Sequence, residues 1–335
     1  MTATHRPPAR PRPRPRPRPA DALAPGSLFQ RNWRIAHRLG AGAFGTVYAA
    51  YDRTLKRLVA LKVDHSRARN SSLLNEYIAY VHLALVTQRA RQRHAFPTVH
   101  AFSASASASA SVAFLAMDLM GPSVHAMMLS YAQPFTNAQI VQIGLRVIYL
   151  LSIVHHAGYV HRDVKPSNLL FPHGSANVTQ LYLIDFGLAY KLLDDGANLK
   201  PPPRNSNYAG TPVYASMHVR RGHSPRPRDD LESLAYTLLH LFTNQLPWLS
   251  EHDWHRCRTI KRRMSVKRIC EHLPHFQPFL RTVRSLQPHQ LPPYELLMDL
   301  LKPLAHLPHH HPQQCSRRSK INTSHTTHLS PPRRQ

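Results

Sequence analysis

Acidic residues are scarce in this chain: 17 Asp and Glu stand against 43 Lys and Arg, a formal net charge of +26 over 335 residues. That excess points to acidic partners, whether nucleic acid, an anionic membrane surface or acidic protein substrates. Cysteine is scarcer still. Cys257, Cys270 and Cys315 form no CxxC pair, which argues against a disulfide scaffold and a thiolate zinc site and favours a reducing compartment. No uninterrupted apolar run reaches membrane-spanning length. The best stretch, Ile140 to Val154, contains Gln142 and Arg146, so no membrane span is expected. The N-terminus lacks the apolar stretch of a signal peptide. It is arginine-rich like a transit peptide, but its alternating prolines forbid the amphipathic helix such peptides need.

Composition divides the chain. Residues 10–19 repeat Arg-Pro five times, which reads as an extended, solvated arm, taken to cover 1–27. An SH3-ligand reading fits poorly, because only Pro8 and Pro11 have the PxxP spacing. Residues 307–335 read as a second biased tail with His309, His310, His311, His325 and His328; without a closed ligand set a metal site there is weak. Both tails suit loose, non-specific polyanion contact. A strict Ser/Ala alternation over Ser103 to Ser111 reads as an elongated hairpin loop.

Between the tails the periodicity changes in order. Residues 33–63 look β-rich, with strands at Trp33–Ala36, Thr46–Tyr51 and Arg57–Val63. Next comes a helical pattern with Leu74, Ile78, Val81 and Leu85 on one face, taken as the buried face. Two more strands are expected at 96–102 and 112–118. From Thr136 onward the pattern is mainly helical: Ile140, Ile143, Val147, Ile148, Leu151 and Val154 outline a long buried helix, and Leu231 to Phe242 another. A small β-rich lobe followed by a larger helical lobe is therefore expected.

Four motifs carry chemistry. Leu39 precedes Gly40-Ala41-Gly42-Ala43-Phe44-Gly45-Thr46-Val47, in which glycines let backbone amides approach phosphate oxygens. A dinucleotide-binding fold would need a helix immediately afterwards. Strand residues follow instead, which favours the glycine-rich hairpin of a protein kinase. Lys62, in Val59-Ala60-Leu61-Lys62, is costly on a strand unless anions hold it. Glu76 is the only acid between Asp64 and Asp118, so it is the expected partner. His161-Arg162-Asp163-Val164-Lys165-Pro166-Ser167-Asn168 and Asp185-Phe186-Gly187 complete the set. Asp163 would take or orient a substrate hydroxyl proton, Lys165 would stabilise the migrating phosphoryl group, and Asn168 and Asp185 would hold Mg2+.

Together these motifs resemble the eukaryotic protein kinase family and, within it, the casein kinase 1 group, over roughly Trp33 to Leu301. Further echoes are Gly121-Pro-Ser123, Gly210-Thr211, Tyr214-Ala-Ser216, Asp229-Asp-Leu-Glu-Ser233 and Leu246-Pro-Trp248. Ser216-Met-His218 stands where that group has Ser-Ile-Asn. The resemblance implies an α+β, bilobal protein kinase fold, with a small β-rich N-lobe (28–120) and a larger helical C-lobe (121–306). It implies ATP with Mg2+, protein substrates and serine/threonine specificity, for which Lys165 and Thr211 speak. Met117 would be the gatekeeper and Asp118, Leu119 and Met120 the hinge, with Leu39 and Ala60 completing the nucleotide set.

One departure concerns substrate choice. Val213 stands where the group commonly has an arginine that looks like part of an anion site, and valine cannot donate hydrogen bonds to a phosphate. Val213→Arg is expected on this reasoning to raise preference for phosphorylated peptides. Arg220, Arg221, Arg226, Arg228, Lys200 and Arg204 are candidate substitutes that would favour acidic substrates. Lys261-Arg-Arg263 with Lys267 and Arg268 reads as an import signal or an anion patch. The expected setting is a monomer in the cytoplasm, the nucleus or both. A pseudokinase scaffold binding partners through basic surfaces is the alternative. Retention of Lys62, Asp163 and Asp185 argues against it.

Overall fold

The computed structural model describes residues 23–42, 45–64, 72–90, 95–104, 112–131, 135–192 and 208–308. The Arg-Pro repeat, the His-rich tail, Ala43, Phe44, Lys200 and Arg204 lie outside the described residues. So does most of the Ser/Ala segment.

Among the described residues the N-lobe is one antiparallel sheet with a single helix. Its strands are β1 (Leu28–Phe29), β2 (Trp33–Gly42), β3 (Gly45–Asp52), β4 (Arg57–Asp64), β5 (Val99–Ser103) and β6 (Ala113–Asp118), in the spatial order β1-β2-β3-β4-β6-β5. Helix α1 (Ser72–Arg89) lies between β4 and β5 in sequence. Side-chain alternation decides what each face holds. Val59, Leu61 and Val63 point into an outer core with Tyr48, Ala50, Phe114 and Ala116. Ala60 and Lys62 therefore take the opposite face, and their register partners there are Met117 and Leu115. The expected strands are present, and β5 pairs with β6 as a hairpin.

Residues 23–27 belong to this lobe, although composition places them in the arm. The Leu23 amide donates to the Tyr48 hydroxyl at 3.0 Å, and Gly26 and Ser27 exchange backbone hydrogen bonds with Ile35. At the other end, the Leu307 carbonyl accepts from Asn137 Nδ2 at 3.0 Å, so Leu307 is part of the C-lobe and not of the tail. In both places backbone pairing extends the fold past the change in composition.

The C-lobe is helical: α2 (Val124–Ser130), α3 (Asn137–His156), α4 (Pro227–Thr243), α5 (Trp254–Arg263), α6 (Val266–Ile269), α7 (Gln277–Ser285) and α8 (Tyr294–Leu301). Two short pairs, β7 (Tyr159–Val160) with β10 (Tyr190–Lys191) and β8 (Leu169–Leu170) with β9 (Tyr182–Leu183), carry the loops between α3 and α4. Thr136 caps α3 through a capping box with Gln139: each side chain accepts the other's backbone amide, at 3.2 and 2.8 Å. By length and composition alone α3 could cross a membrane, with a mean hydropathy of 1.5 in its most apolar window. Much of that window, 61%, is buried inside the lobe, as expected of a central core helix. Asn244 ends α4 in the left-handed conformation, three residues before Pro247.

Helix α1 departs from expectation in its phase. It buries Leu73, Glu76, Ala79, Tyr80, Leu83 and Thr87. Leu74, Ile78, Val81 and Leu85, expected inward, are 38–49% exposed. Both stripes repeat at the helical period, so periodicity alone could not separate them. Polar anchoring sets the phase: Glu76 must face Lys62, and Asn75 must face the backbone after Asp185.

Candidate active site

The Lys62 ammonium lies between two carboxylates, 2.7 Å from Glu76 and 2.8 Å from Asp185. Strand alternation brings Lys62 to this face, α1 supplies Glu76, and the loop after β9 supplies Asp185. Glu76 is 2% exposed. Burial pushes its carboxyl up to about 7, against the pull of Lys62. For Lys62 the two carboxylates outweigh burial and hold its pKa above the ordinary lysine value. Burial also opposes ionisation of Asp185, but Lys62, aided by His161 and Lys165, holds that carboxyl below the usual range. Removing Lys62 would strand the buried carboxyl of Glu76, at a cost of about 3–5 kcal/mol, whereas removing Glu76 leaves Lys62 its contact with Asp185.

Asp185 adopts a left-handed φ of 69°, a conformation costly for a residue with a side chain. The structure around it is over-determined. Phe186 is fully buried and packs edge-on against Tyr80, Phe96 and His161 at 5.0, 5.7 and 4.8 Å. Asn75 Nδ2 donates to the carbonyls of Phe186, Gly187 and Ala189 at 3.3, 3.2 and 2.8 Å. One α1 turn thus carries both the partner of Lys62 and the clamp on the Asp185 loop.

A second cluster surrounds Asp163. Its Oδ1 accepts from the Thr211 hydroxyl at 2.8 Å, and its Oδ2 lies 2.7 Å from Lys165 Nζ. Lys165 Nζ also donates to Thr211 Oγ1 at 2.9 Å, closing a triangle. Asn168 Nδ2 donates to the Asp163 carbonyl at 2.9 Å, which turns the nitrogen end of the amide inward and leaves its oxygen for a cation. The loop is held from below. Asp230 accepts the backbone amides of His161 and Arg162 at 2.7 and 2.8 Å, and the ring of His155 at 2.9 Å.

The glycine-rich turn joins β2 and β3. Gly45 has φ 125°, and an added Cβ would stand 2.2 Å from the Val63 carbonyl oxygen, so only glycine fits. Gly40 and Gly42 face open space, leaving room above the cleft for a phosphate chain. Thr46 is buried, Val47 is half-buried and Leu39 is exposed. Met117 is buried beside the half-buried Ala60. Asp118 is placed otherwise than a side-chain contact with nucleotide requires. Its carboxylate accepts from the Thr98 amide at 2.8 Å and meets His100 at 2.8 Å and Arg57 at 3.2 Å. Only its backbone, with Leu119 and Met120, is left to line the hinge.

Sequence reasoning missed Asn75 and the anchoring role of Asp230. It saw Thr211 as a mark of specificity and not as a ligand of Asp163. The signals were weak: an asparagine in the first turn of a helix, and an aspartate within a longer echo. The cation run at 261–263 also changes meaning. Lys261 is buried, while Arg262 and Arg263 are exposed on α5, so the run is neither a continuous patch nor an extended basic tract.

A two-lobed fold with a lysine–carboxylate pair over an aspartate–lysine–asparagine loop defines a phosphotransferase of the protein kinase type. A protein kinase domain model matches residues 33–307, and the chain belongs to the protein kinase family. A probable casein kinase I homologue of Encephalitozoon cuniculi (strain GB-M1) is 28% identical over 279 residues, covering 81% of this chain and 88% of the relative. A second from the same organism is 28% identical over 287 residues, covering 82% and 85%. The family uses ATP with Mg2+, and the donor set fits. A carboxylate and an amide oxygen are hard oxygen ligands suited to Mg2+, and Lys62 is a half-buried cation suited to phosphate.

Proposed function

We propose that the protein is a serine/threonine kinase that phosphorylates acidic protein substrates, with Asp163 as the group that receives the substrate hydroxyl. The observation that carries this reading is the Asp163–Thr211–Lys165 triangle, within 2.7–2.9 Å on every side. It points a carboxylate oxygen and an ammonium at one place, as in-line transfer to an alcohol requires. Asp163 accepts the hydroxyl proton, and Lys165 balances charge building on the transferred group. Lys62, steadied by Glu76, holds the phosphate chain of the nucleotide. Gly40 and Gly42, which face open space, leave room for that chain, while Leu39, Ala60, Met117 and the 118–120 backbone frame the base. Asn168 and Asp185 would hold Mg2+, which supplies charge neutralisation when bound.

Thr211 supports hydroxyl-bearing aliphatic acceptors: its bond to Asp163 fixes how far the following segment stands from the carboxylate. The basic balance of the chain supports acidic substrates. Cys257 and Cys270 are unpaired and buried, in keeping with a reducing, cytoplasmic or nuclear setting.

The test is phosphate incorporation from Mg-ATP into casein and into matched Ser, Thr and Tyr peptides with acidic or neutral flanks. Asp163→Asn keeps the shape of the side chain and is expected to lower turnover by about 10^2–10^4 with little change in thermal melting. Undiminished incorporation by the variant would overturn the assignment. Equal use of acidic and neutral peptides would overturn the substrate preference alone.

A further inference from the structure

Beyond the cleft, a cavity of about 270 Å³ opens beside the segment that follows Ser216. His218, Arg220, His223, Arg228, Arg258 and Arg262 line it, together with Met217. Among the described residues no ion pair engages any of its four arginines. The ion pairs formed there by carboxylates involve only His223, which meets Asp229 at 3.1 Å.

The floor of this cavity is built. Arg228 donates to the Leu286 carbonyl at 3.0 Å and Arg258 Nε to the Met217 carbonyl at 3.0 Å. Both guanidinium groups are half-buried and fixed by backbone. The Nε of Arg228 is buried with no hydrogen-bond partner. Arg220 and Arg262 stand exposed at the rim. Asp229 and Glu232 lie close enough to act on the lining His218, but four guanidinium groups outnumber them, and an anion would offset the excess positive charge. Planar guanidinium groups match the oxygens of a phosphate in particular, and the cavity holds such a group with room to spare. Val213 contributes nothing here: its side chain is buried in the core.

We propose that this cavity is a binding site for a phosphate-class dianion, separate from the nucleotide cleft. Arg228 and Arg258 provide its fixed floor, and Arg220 and Arg262 close over the ligand from the rim. The ligand is either free phosphate or a phosphorylated side chain, since both present the same oxygens.

Binding is read without turnover, so the result stands apart from the kinase reading. The full chain is titrated with inorganic phosphate against chloride of equal ionic strength, following thermal melting and calorimetry. A neutral-flanked phosphoserine peptide and its serine twin are compared by fluorescence anisotropy at about 0.15 M salt, where the Debye length is about 8 Å and diffuse attraction is damped. The paired rim variant Arg220→Glu/Arg262→Glu breaks no hydrogen bond and is checked first for unchanged melting. The expected result is phosphate binding that the variant weakens about tenfold or more. If the phosphopeptide also outbinds its twin, the ligand is a phosphorylated side chain; if it does not, the ligand is free phosphate. Absence of phosphate-specific binding, or equal binding by the variant, overturns the proposal.

Discussion

Lys261 donates to the carbonyl of Ala215 at 2.7 Å from beneath the segment that leads into Ser216. The same ammonium donates to the Pro212 carbonyl at 2.6 Å, and it stands over the rings of Tyr236 and Trp248 at 4.9 and 5.2 Å. Only 1% of Lys261 is exposed, and burial pushes its pKa down to about 7. A side chain that sequence places on the surface is thus an internal strut for residues 212–215.

Lys261→Ala leaves two carbonyls without their donor and opens a void beside the Tyr236 and Trp248 rings. The expected loss is about 3 kcal/mol, read as a fall of several degrees in melting temperature. Because Thr211 borders the same segment, KM for peptide is expected to rise more than kcat falls. A melting temperature within a degree of the parent would show that the strut is dispensable.

Gly210 tests the coupling between this segment and Asp163. Its φ is 96°, and an added Cβ would stand 2.4 Å from the Arg162 carbonyl oxygen. Arg162 is itself left-handed, at φ 72°, so neither backbone can yield cheaply. Gly210→Ala is expected to push Thr211 off Asp163 and lower kcat by about 10^2, the scale of a misplacement near 1 Å. ATP affinity, measured by calorimetry, is expected to hold, since Lys62 and Asp185 lie elsewhere.

Much of this arrangement was legible because local rules and tertiary demands agreed. Alternation in Val59–Val63 places Lys62 opposite the outer core, and the lone acid of the next helix becomes its partner. The motif loops carried their residue types in plain view. What stayed hidden depended on choices between equivalent patterns. Helix α1 offers two apolar stripes of one period, and the anchoring of Glu76 and Asn75, which no hydrophobicity pattern rewards, selects the less apolar one. Lys261 is hidden for the converse reason. Its neighbours Arg262 and Arg263 are solvated, and only the folded segment above it supplies the carbonyls that justify its burial. The Asp118 carboxylate turns away from the cleft because Thr98, His100 and Arg57 converge on it from another strand and from β4.

His240 sets an acid limit on stability. It is 7% exposed on α4, and its Nδ1 meets the Tyr214 hydroxyl at 2.8 Å. Burial, with repulsion from His125, pushes its pKa from 6.5 down to about 4. The folded state therefore favours the neutral ring, and the unfolded state takes up the proton first as pH falls. This contribution is complete above about pH 6.5 and is lost progressively toward pH 4, about 3 kcal/mol in all. Denaturant melts at about pH 7.5 and about pH 4.5 measure it. His240→Gln is expected to flatten the difference between the two; an unchanged difference would place the acid sensitivity elsewhere.

Val213→Arg distinguishes two accounts of anion recognition. On sequence grounds the substitution restores a phosphate donor and raises preference for phosphorylated peptides. The structure points the other way. Val213 is 8% exposed and packed in the main core, and its carbonyl accepts from Trp248 Nε1 at 2.7 Å. A guanidinium there must be buried unpaired or must lift the segment off Trp248, at about 3 kcal/mol or more. The variant is expected to melt several degrees lower, with no gain in the ratio of phosphorylated to unphosphorylated peptide turnover. Arg220 and Arg262 are untouched by this change, so phosphate binding at the cavity they border is expected to persist wherever the variant remains folded. A stable Val213→Arg protein with a raised phosphopeptide ratio would show that the 212–215 segment can turn outward, and would return anion recognition to position 213.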